Sequence, residues 1–159
     1  MKLNLGCGEH KIKGYINCDI LEEVKPDIRL DLTKKLPFAD NSIDEIYMNH
    51  VLEHILNYGF LLNEIWRVCK KNSKITIHVP FYASQNNLQV PEHINSFGYF
   101  SLVNYKKLFI IQPHLDFFIA KKNKFLDALI NWEPYVYQRF FAWILPVSQV
   151  TYILKVIKK

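Results

Sequence analysis

Six residues, Glu9 to Gly14, join the first two apolar runs of this chain. The opening reads MKLNLGCGEHKIKGYINCD: a short strand signal at Leu3 and Leu5, a glycine turn at Gly6, Cys7 and Gly8, then a run through Tyr15, Ile16 and Cys18 that stops on Asp19. If the two strands are parallel neighbours, the link must travel back along a five-residue strand, ~16 Å. Six extended residues reach ~20 Å, whereas six helical ones reach only ~9 Å. The connection must therefore be mostly extended, with no room for a full helix. One face of the sheet is then left without a cover. We expect the aromatic segment Phe125–Ile144, or a second subunit, to supply it.

The first eighty residues alternate strands and connections. Candidate strands are Lys2–Leu5, Tyr15–Asp19, Asp27–Asp31, Asp44–Met48 and Lys74–Val79. Between the last two, Leu61, Leu62, Ile65, Val68 and Cys69 recur at helical spacing and predict a helix over Tyr58–Lys70. Strand, helix, strand with short connections predicts an α/β fold with a mostly parallel sheet. Beyond Pro80 the reading is a polar loop over Ser84–Gln89, a short helix from Ser101 through Phe109, and a strand over Leu115–Lys121. The helical aromatic segment Phe125–Ile144, broken at Pro134, follows, and Gln149–Ile157 closes the chain as a strand. With 159 residues, no repeat and no linker, residues 1–159 read as a single domain.

Composition narrows the class. No apolar run approaches the ~20 residues of a bilayer span, and the N-terminus lacks the apolar stretch of a secretion signal, so a cytoplasmic protein is expected. Cys7, Cys18 and Cys69 form no CxxC pair, and each reads as a small buried apolar residue. The net charge of +5 comes with lysines at 121, 122 and 124 and at 155, 158 and 159. Such clusters fit solvated strand ends, so there is no strong nucleic-acid signal. The apolar side chains of the Phe125–Ile144 segment fit core or homodimer packing better than a membrane surface, because the basic face is sparse.

Glycines let backbone N–H groups approach a ligand closely, and a carboxylate at the next strand tip can accept both hydroxyls of a ribose. The opening thus fits a nucleoside-containing cofactor. Three segments in order, LNLGCG, GYINCDI and LPFADNSIDEIYMNHVLEHI, resemble the class I S-adenosylmethionine-dependent methyltransferases, and more narrowly the small methyltransferase type 11-like proteins. The resemblance covers about residues 2 to 80. It implies a Rossmann-like, doubly wound sheet of about seven strands with the last one antiparallel, here with the first helix shortened or absent. It also implies S-adenosyl-L-methionine as cofactor and in-line methyl transfer to a small-molecule acceptor such as a sugar, lipid precursor or metabolite. By the same resemblance Gly6, Cys7 and Gly8 would lie beneath the methionine part and Asp19 would hold the ribose, with Ile20 on the adenine. Asp31 and Leu32 would border the adenine edge, and Asn49 and His50 would face the methionine end and the entering acceptor.

The chain departs from the family at Asn4, where an acidic residue is common, and at His10, where a third glycine is frequent. For catalysis the candidates are His54, because imidazole takes up protons near neutral pH, and His93, because Pro91-Glu92-His93 is similar to a Pro-x-His loop on the family's substrate side. Glu53 reads first as a carboxylate at a helix start. Tyr82 and Tyr99 are candidates for an acceptor pocket. Asn49-His50 stands where an NPPY-like tetrapeptide would mark amino-group methylation on a nucleobase or glutamine, which disfavours that subclass. Two rival readings stay open. His50-Val51-Leu52-Glu53-His54 also fits the HxxEH pattern of zinc hydrolases, in which two histidines share a helix face; no metal ligands are assigned on the methyltransferase reading. The other rival is a non-catalytic cofactor-binding or scaffold protein.

Overall fold

The structure is a computed structural model and describes residues 1–116, 124–144 and 147–158, the side chains of 124–126 excepted. Its strands are β1 (Lys2–Leu5), β2 (Ile16–Asp19), β3 (Ile28–Arg29), β4 (Ile43–Asn49), β5 (Cys69–Pro80), β6 (Phe109–Asp116) and β7 (Gln149–Val156). They form one sheet in the order β3-β2-β1-β4-β5-β7-β6. β1 to β5 are parallel, and β7 runs antiparallel between β5 and β6. The helices are α1 (Tyr58–Val68), α2 (Gln85–Leu88), α3 (Lys124–Trp132) and α4 (Pro134–Val136), the last followed by a wide π-turn over Tyr137–Phe141. This is the Rossmann-like α/β architecture with an antiparallel last strand that the resemblance implied.

Register explains the core. Leu3 pairs with Ile46, Ile46 with Ile75, and Ile75 with Leu154; Leu5, Met48, Ile77 and Tyr152 form the next row. Since side chains alternate between faces, every one of these points to the same side, and all are buried. α1 covers that side with Leu61, Leu62, Ile65 and Val68, and Asn57 caps its first turn by accepting from the Phe60 amide. The opposite face carries Glu45, Tyr47, Thr76, His78, Thr151 and Lys155, all partly or fully exposed. It is braced by a Lys2–Glu45 ion pair at 2.6 Å and a His78–Thr151 hydrogen bond at 2.7 Å.

Among the described residues the aromatic segment, the first of the two covers expected, does not lie on this second face. Asn131 of α3 instead pairs with the free edge of β6, accepting from the Leu115 amide (2.8 Å) and donating to its carbonyl (3.1 Å). Tyr137 and Trp143 pack on Phe81 and Tyr82, past the carboxyl end of β5. The face is mostly polar, although Ile110 and Ile153 stand exposed on it, so burial would give it little.

A side-chain network holds the short 9–14 connection where a helix would otherwise stand. Asn17 Oδ1 accepts from the Ile12 amide (2.8 Å) and from Asn4 Nδ2 (3.0 Å), and Asn4 Nδ2 also donates to the His10 carbonyl. Asp27 Oδ2 accepts from both the amide and the side chain of Asn17, which holds its carboxyl below the usual range. Asn4 is therefore a donor fastening the loop, a task no carboxylate could perform.

Three local expectations are corrected. Ser84 caps α2 where a loop was expected, its hydroxyl accepting from the Asn87 amide. Ser101 accepts from the Gly98 amide, closing a turn, so no helix follows it beyond a 3-10 turn at Val103–Tyr105. The strand expected over Leu115–Lys121 is β6, which begins at Phe109; residues 117–121 lie outside the described residues. Pro113 lies within β6, where an edge strand accommodates a residue without an N–H.

Candidate active site

A cavity of about 630 Å³ opens beyond the carboxyl ends of β1, β2 and β4. Gly6 and Gly8 turn the chain there with φ of +66° and +47°. A Cβ at Gly6 would overlap the Val51 Cγ2 methyl and stand 3.0 Å from Cγ1, so only glycine permits this approach of the two segments. The Cys7 amide donates to the Cys18 carbonyl (3.0 Å), which hangs the turn from the end of β2. The Asp19 carboxylate is held from both sides, by the Gly8 amide on Oδ2 (2.8 Å) and the Leu21 amide on Oδ1 (3.0 Å). Each oxygen keeps a lone pair for a further donor. Asp31 accepts from the Thr33 hydroxyl (2.6 Å) and amide (2.9 Å), and these bonds, the hydroxyl's foremost, hold its carboxyl below the usual range.

The cysteines behave as apolar wall and core. Burial and then the Asp19 carboxylate raise the Cys7 thiol, while burial pushes Cys18 and Cys69 up to about 12. A smaller cavity of about 350 Å³ lies behind the glycine turn, between Asn4, Lys11 and Tyr47.

Beyond β4, His50 adopts φ +54° and its amide donates to the His78 carbonyl (2.9 Å). Leu52–His54 then forms a 3-10 turn, and Glu53 within it is 0% exposed. Glu53 Oε1 accepts from His50 Nδ1 (3.2 Å), and among the described residues Oε2 has no partner. His93 Nε2 stands 3.9 Å from Glu53 Oε1, and its ring meets that of His54 edge-on with centroids 4.8 Å apart. His54 Nδ1 lies 3.1 Å from the Glu92 carbonyl. A carbonyl only accepts, so Nδ1 carries the hydrogen there. The loop bearing His93 is fastened to this turn, for the Ile94 and Asn95 amides both donate to the Glu53 carbonyl at 3.1 Å.

Residues 3–77 match the family described as a methyltransferase domain. The match runs from β1 into β5 and spans just under half of the chain. A S-adenosylmethionine-dependent methyltransferase of Archaeoglobus fulgidus has the same fold, with a TM-score of 0.70 at 19% identity over 97% of this chain and 85% of the other. A Mesorhizobium loti S-adenosylmethionine-dependent methyltransferase gives 0.64 at 15% identity, over 97% and 90%. Phosphoethanolamine N-methyltransferase 2 of Haemonchus contortus, solved with S-adenosyl-L-methionine, gives 0.63 at 14% identity, over 99% of this chain and 48% of that one. At these identities the likeness is one of fold. No curated protein sequence matches the chain. The methyltransferase family makes S-adenosyl-L-methionine the cofactor for which the cavity must be judged.

All the residues expected to bind a cofactor, Gly6, Cys7, Gly8, Asp19, Ile20, Asp31, Leu32, Asn49 and His50, line the larger of these two cavities. His54 lies on its wall too, whereas His93 stands behind that wall against Glu53. Tyr82 and Tyr99 are absent from it; the Tyr82 hydroxyl donates to the Gln138 carbonyl, and the Tyr99 amide to the Gln138 side chain. Glu53 does not start a helix as expected, since α1 begins only at Tyr58. The helix on which an HxxEH pair depends is likewise not formed, because His50 sits in a left-handed turn ahead of the 3-10 segment. Sequence reasoning missed Val51 and Ile55 as wall residues. Their signal was the apolar spacing beside the histidines, which reads equally as core.

Proposed function

We propose that the enzyme transfers a methyl group from S-adenosylmethionine to a small-molecule acceptor such as a sugar, lipid precursor or metabolite. One observation carries the reading: the glycine turn, the doubly held Asp19 and the residues after β3 and β4 converge on a single cavity at the strand ends where open α/β sheets bind ligands. Its donor set suits the cofactor. In this reading Asp19 accepts from the ribose, Ile20 and Leu32 face the adenine with Asp31 at its edge, and the Gly6–Gly8 backbone passes under the methionine part. When bound, the cofactor supplies a methyl group already activated on a positively charged sulfur, so alignment and exclusion of water are the main tasks left to the protein. Asn49 and His50 would orient the acceptor. His54, with His93 behind it, would ease removal of the acceptor's proton.

A small acceptor is favoured because the wall carries no lysine or arginine among the described residues, and a nucleic-acid backbone would require them. We extend the reading to one domain, to the cytoplasm, where three buried free thiols are expected, and to a homodimer through the exposed Trp132, Phe140, Trp143 and Ile144. No helix among the described residues is long and apolar enough to cross a membrane.

Calorimetric titration with S-adenosylmethionine and its demethylated product tests the core of this proposal. Wild-type protein should bind both, and Asp19→Ala should weaken binding by roughly 1.5–3 kcal/mol, the scale for hydrogen bonds to a charged group. Failure of the folded wild type to bind either ligand would refute it.

A further inference from the structure

We propose that Glu53, His54 and His93 form a binding site for a divalent first-row transition-metal ion beside the cofactor cavity. One donor atom from each of the three lies within 4.8 Å of the others. Donors about 2.1 Å from a common tetrahedral ion stand about 3.4 Å apart, so the set closes with a shift on the order of 1 Å. Two imidazoles and one carboxylate are a set that zinc, iron, cobalt, nickel and manganese all accept.

Three independent features favour a ligand here over a structural cluster. First, Glu53 is wholly buried, yet among the described residues its Oε2 has no partner, while its Oε1 meets His50 at 3.2 Å and His93 at 3.9 Å. Buried carboxylates are paired with charge or bind metal, because desolvation of the lone anion is otherwise uncompensated. Second, the Glu92 carbonyl fixes the hydrogen of His54 on Nδ1, leaving Nε2 with an open lone pair. A backbone carbonyl orienting the far nitrogen is the usual arrangement around a metal-bound histidine. Third, the ligands come from two segments about 40 residues apart that are locked together before any ion arrives. The Ile94 and Asn95 amides hold the Glu53 carbonyl, and Asn95 Nδ2 donates to the Ile55 carbonyl (2.9 Å).

This site differs from the HxxEH arrangement. Glu53 is a ligand in it and not the base, His93 arrives from a distant loop, and His50 is the hydrogen-bond partner of the carboxylate. Three protein donors leave positions open for other ligands, and His54 already borders the cavity. The site therefore fits an acceptor whose reacting hydroxyl has a second oxygen beside it, as in a diol or a hydroxy acid. Bound through both oxygens, the hydroxyl would lose its proton to water; the electron pair left on that oxygen would form the new bond to the methyl carbon as the carbon–sulfur bond of the cofactor breaks, its pair leaving on the sulfur as a neutral thioether. The ion's existence is independent of the methyltransferase reading, whereas this role rests on it.

Metal-stripped, folded protein titrated with Co²⁺, read by visible absorption, and with Zn²⁺, read by calorimetry, tests the site. We expect one ion per chain, with affinity lowered at least about tenfold in His93→Ala and His54→Ala and a far-UV spectrum unchanged in both. Glu53→Gln should do the same; if that variant does not fold, the histidine variants carry the test. His114→Ala, which disrupts a separate exposed group with Asp116 and Asp127, should leave binding unchanged. Weak binding of several ions, or one-to-one binding indifferent to His93→Ala and His54→Ala, would overturn the proposal. S-adenosylmethionine is titrated into the same sample. Cofactor binding with no metal binding removes the metal site alone, while metal binding with no cofactor binding removes the methyltransferase reading and leaves the site.

Discussion

Gly6 is where the fold and the cofactor cavity depend on the same missing atom, and Gly6→Ala exposes the dependence. Two costs add. Holding alanine at φ +66° costs about 1–2 kcal/mol. Its Cβ would also overlap a Val51 methyl, and crowding a buried side chain costs a further ~1–3 kcal/mol. The sum, about 2–5 kcal/mol, corresponds to a melting temperature lower by on the order of 5–15 °C in a chain of this size. Gly8→Ala is the control. Its φ is also positive, but nothing lies within 4 Å of the added Cβ, so only the backbone cost of about 1–2 kcal/mol applies. Val51→Ala in the Gly6→Ala background removes both crowding methyls, and the pair should couple favourably by about 1–3 kcal/mol. Urea unfolding of the four proteins in the Gly6/Val51 cycle, with matched slopes, measures this directly. If Gly6→Ala is no worse than Gly8→Ala, or if the cycle is additive within about 0.5 kcal/mol, then the turn does not meet Val51 as described.

Asn4→Asp, which restores the acid common in the family, should destabilise this chain by about 1–3 kcal/mol in the same unfolding assay, because a carboxylate would face the His10 carbonyl and Asn17 Oδ1 with no hydrogen to give. Acid should weaken the fold partly through Glu64, which accepts from Arg67 and from the Leu36 amide and whose carboxyl is depressed chiefly by the Arg67 bonds. Its contribution is complete above the unfolded carboxyl's value of 4.5 and is lost as pH falls through the lower folded value. The melting temperature of Glu64→Gln should accordingly fall less steeply than that of wild type below about pH 4.5, and parallel curves would count against this assignment.

The cofactor half of the site was legible because it is local. Gly6, Gly8 and Asp19 lie within fourteen residues, and their spacing alone demanded an extended link that the structure realises. Asp31, Asn49 and His50 were added by the resemblance to the family, and they lie at or just past the carboxyl ends of β3 and β4, which parallel strands deliver to one edge. Beyond Pro80 the same reasoning lost accuracy. Ser101 has the chemistry of a helix cap and of a turn, and only its contact with Gly98 distinguishes them. The strand expected over Leu115–Lys121 begins six residues earlier, at Phe109, on an edge where Pro113 needs no N–H partner.

By itself, then, the sequence determined a mostly parallel α/β sheet, a glycine turn and an acidic strand tip at its carboxyl edge and the absence of a first helix, because each follows from residues close in the chain. What fills the place of that helix was decided only by tertiary structure. The mostly polar second face needs no aromatic cover, a condition visible only once register brings Glu45, Thr76 and Thr151 to one side of three strands. The meeting of Glu53 and His54 with His93 was equally beyond sequence reading. Those residues are about 40 positions apart, and backbone hydrogen bonds between two irregular segments bring them together, an arrangement that leaves no periodic trace in the chain.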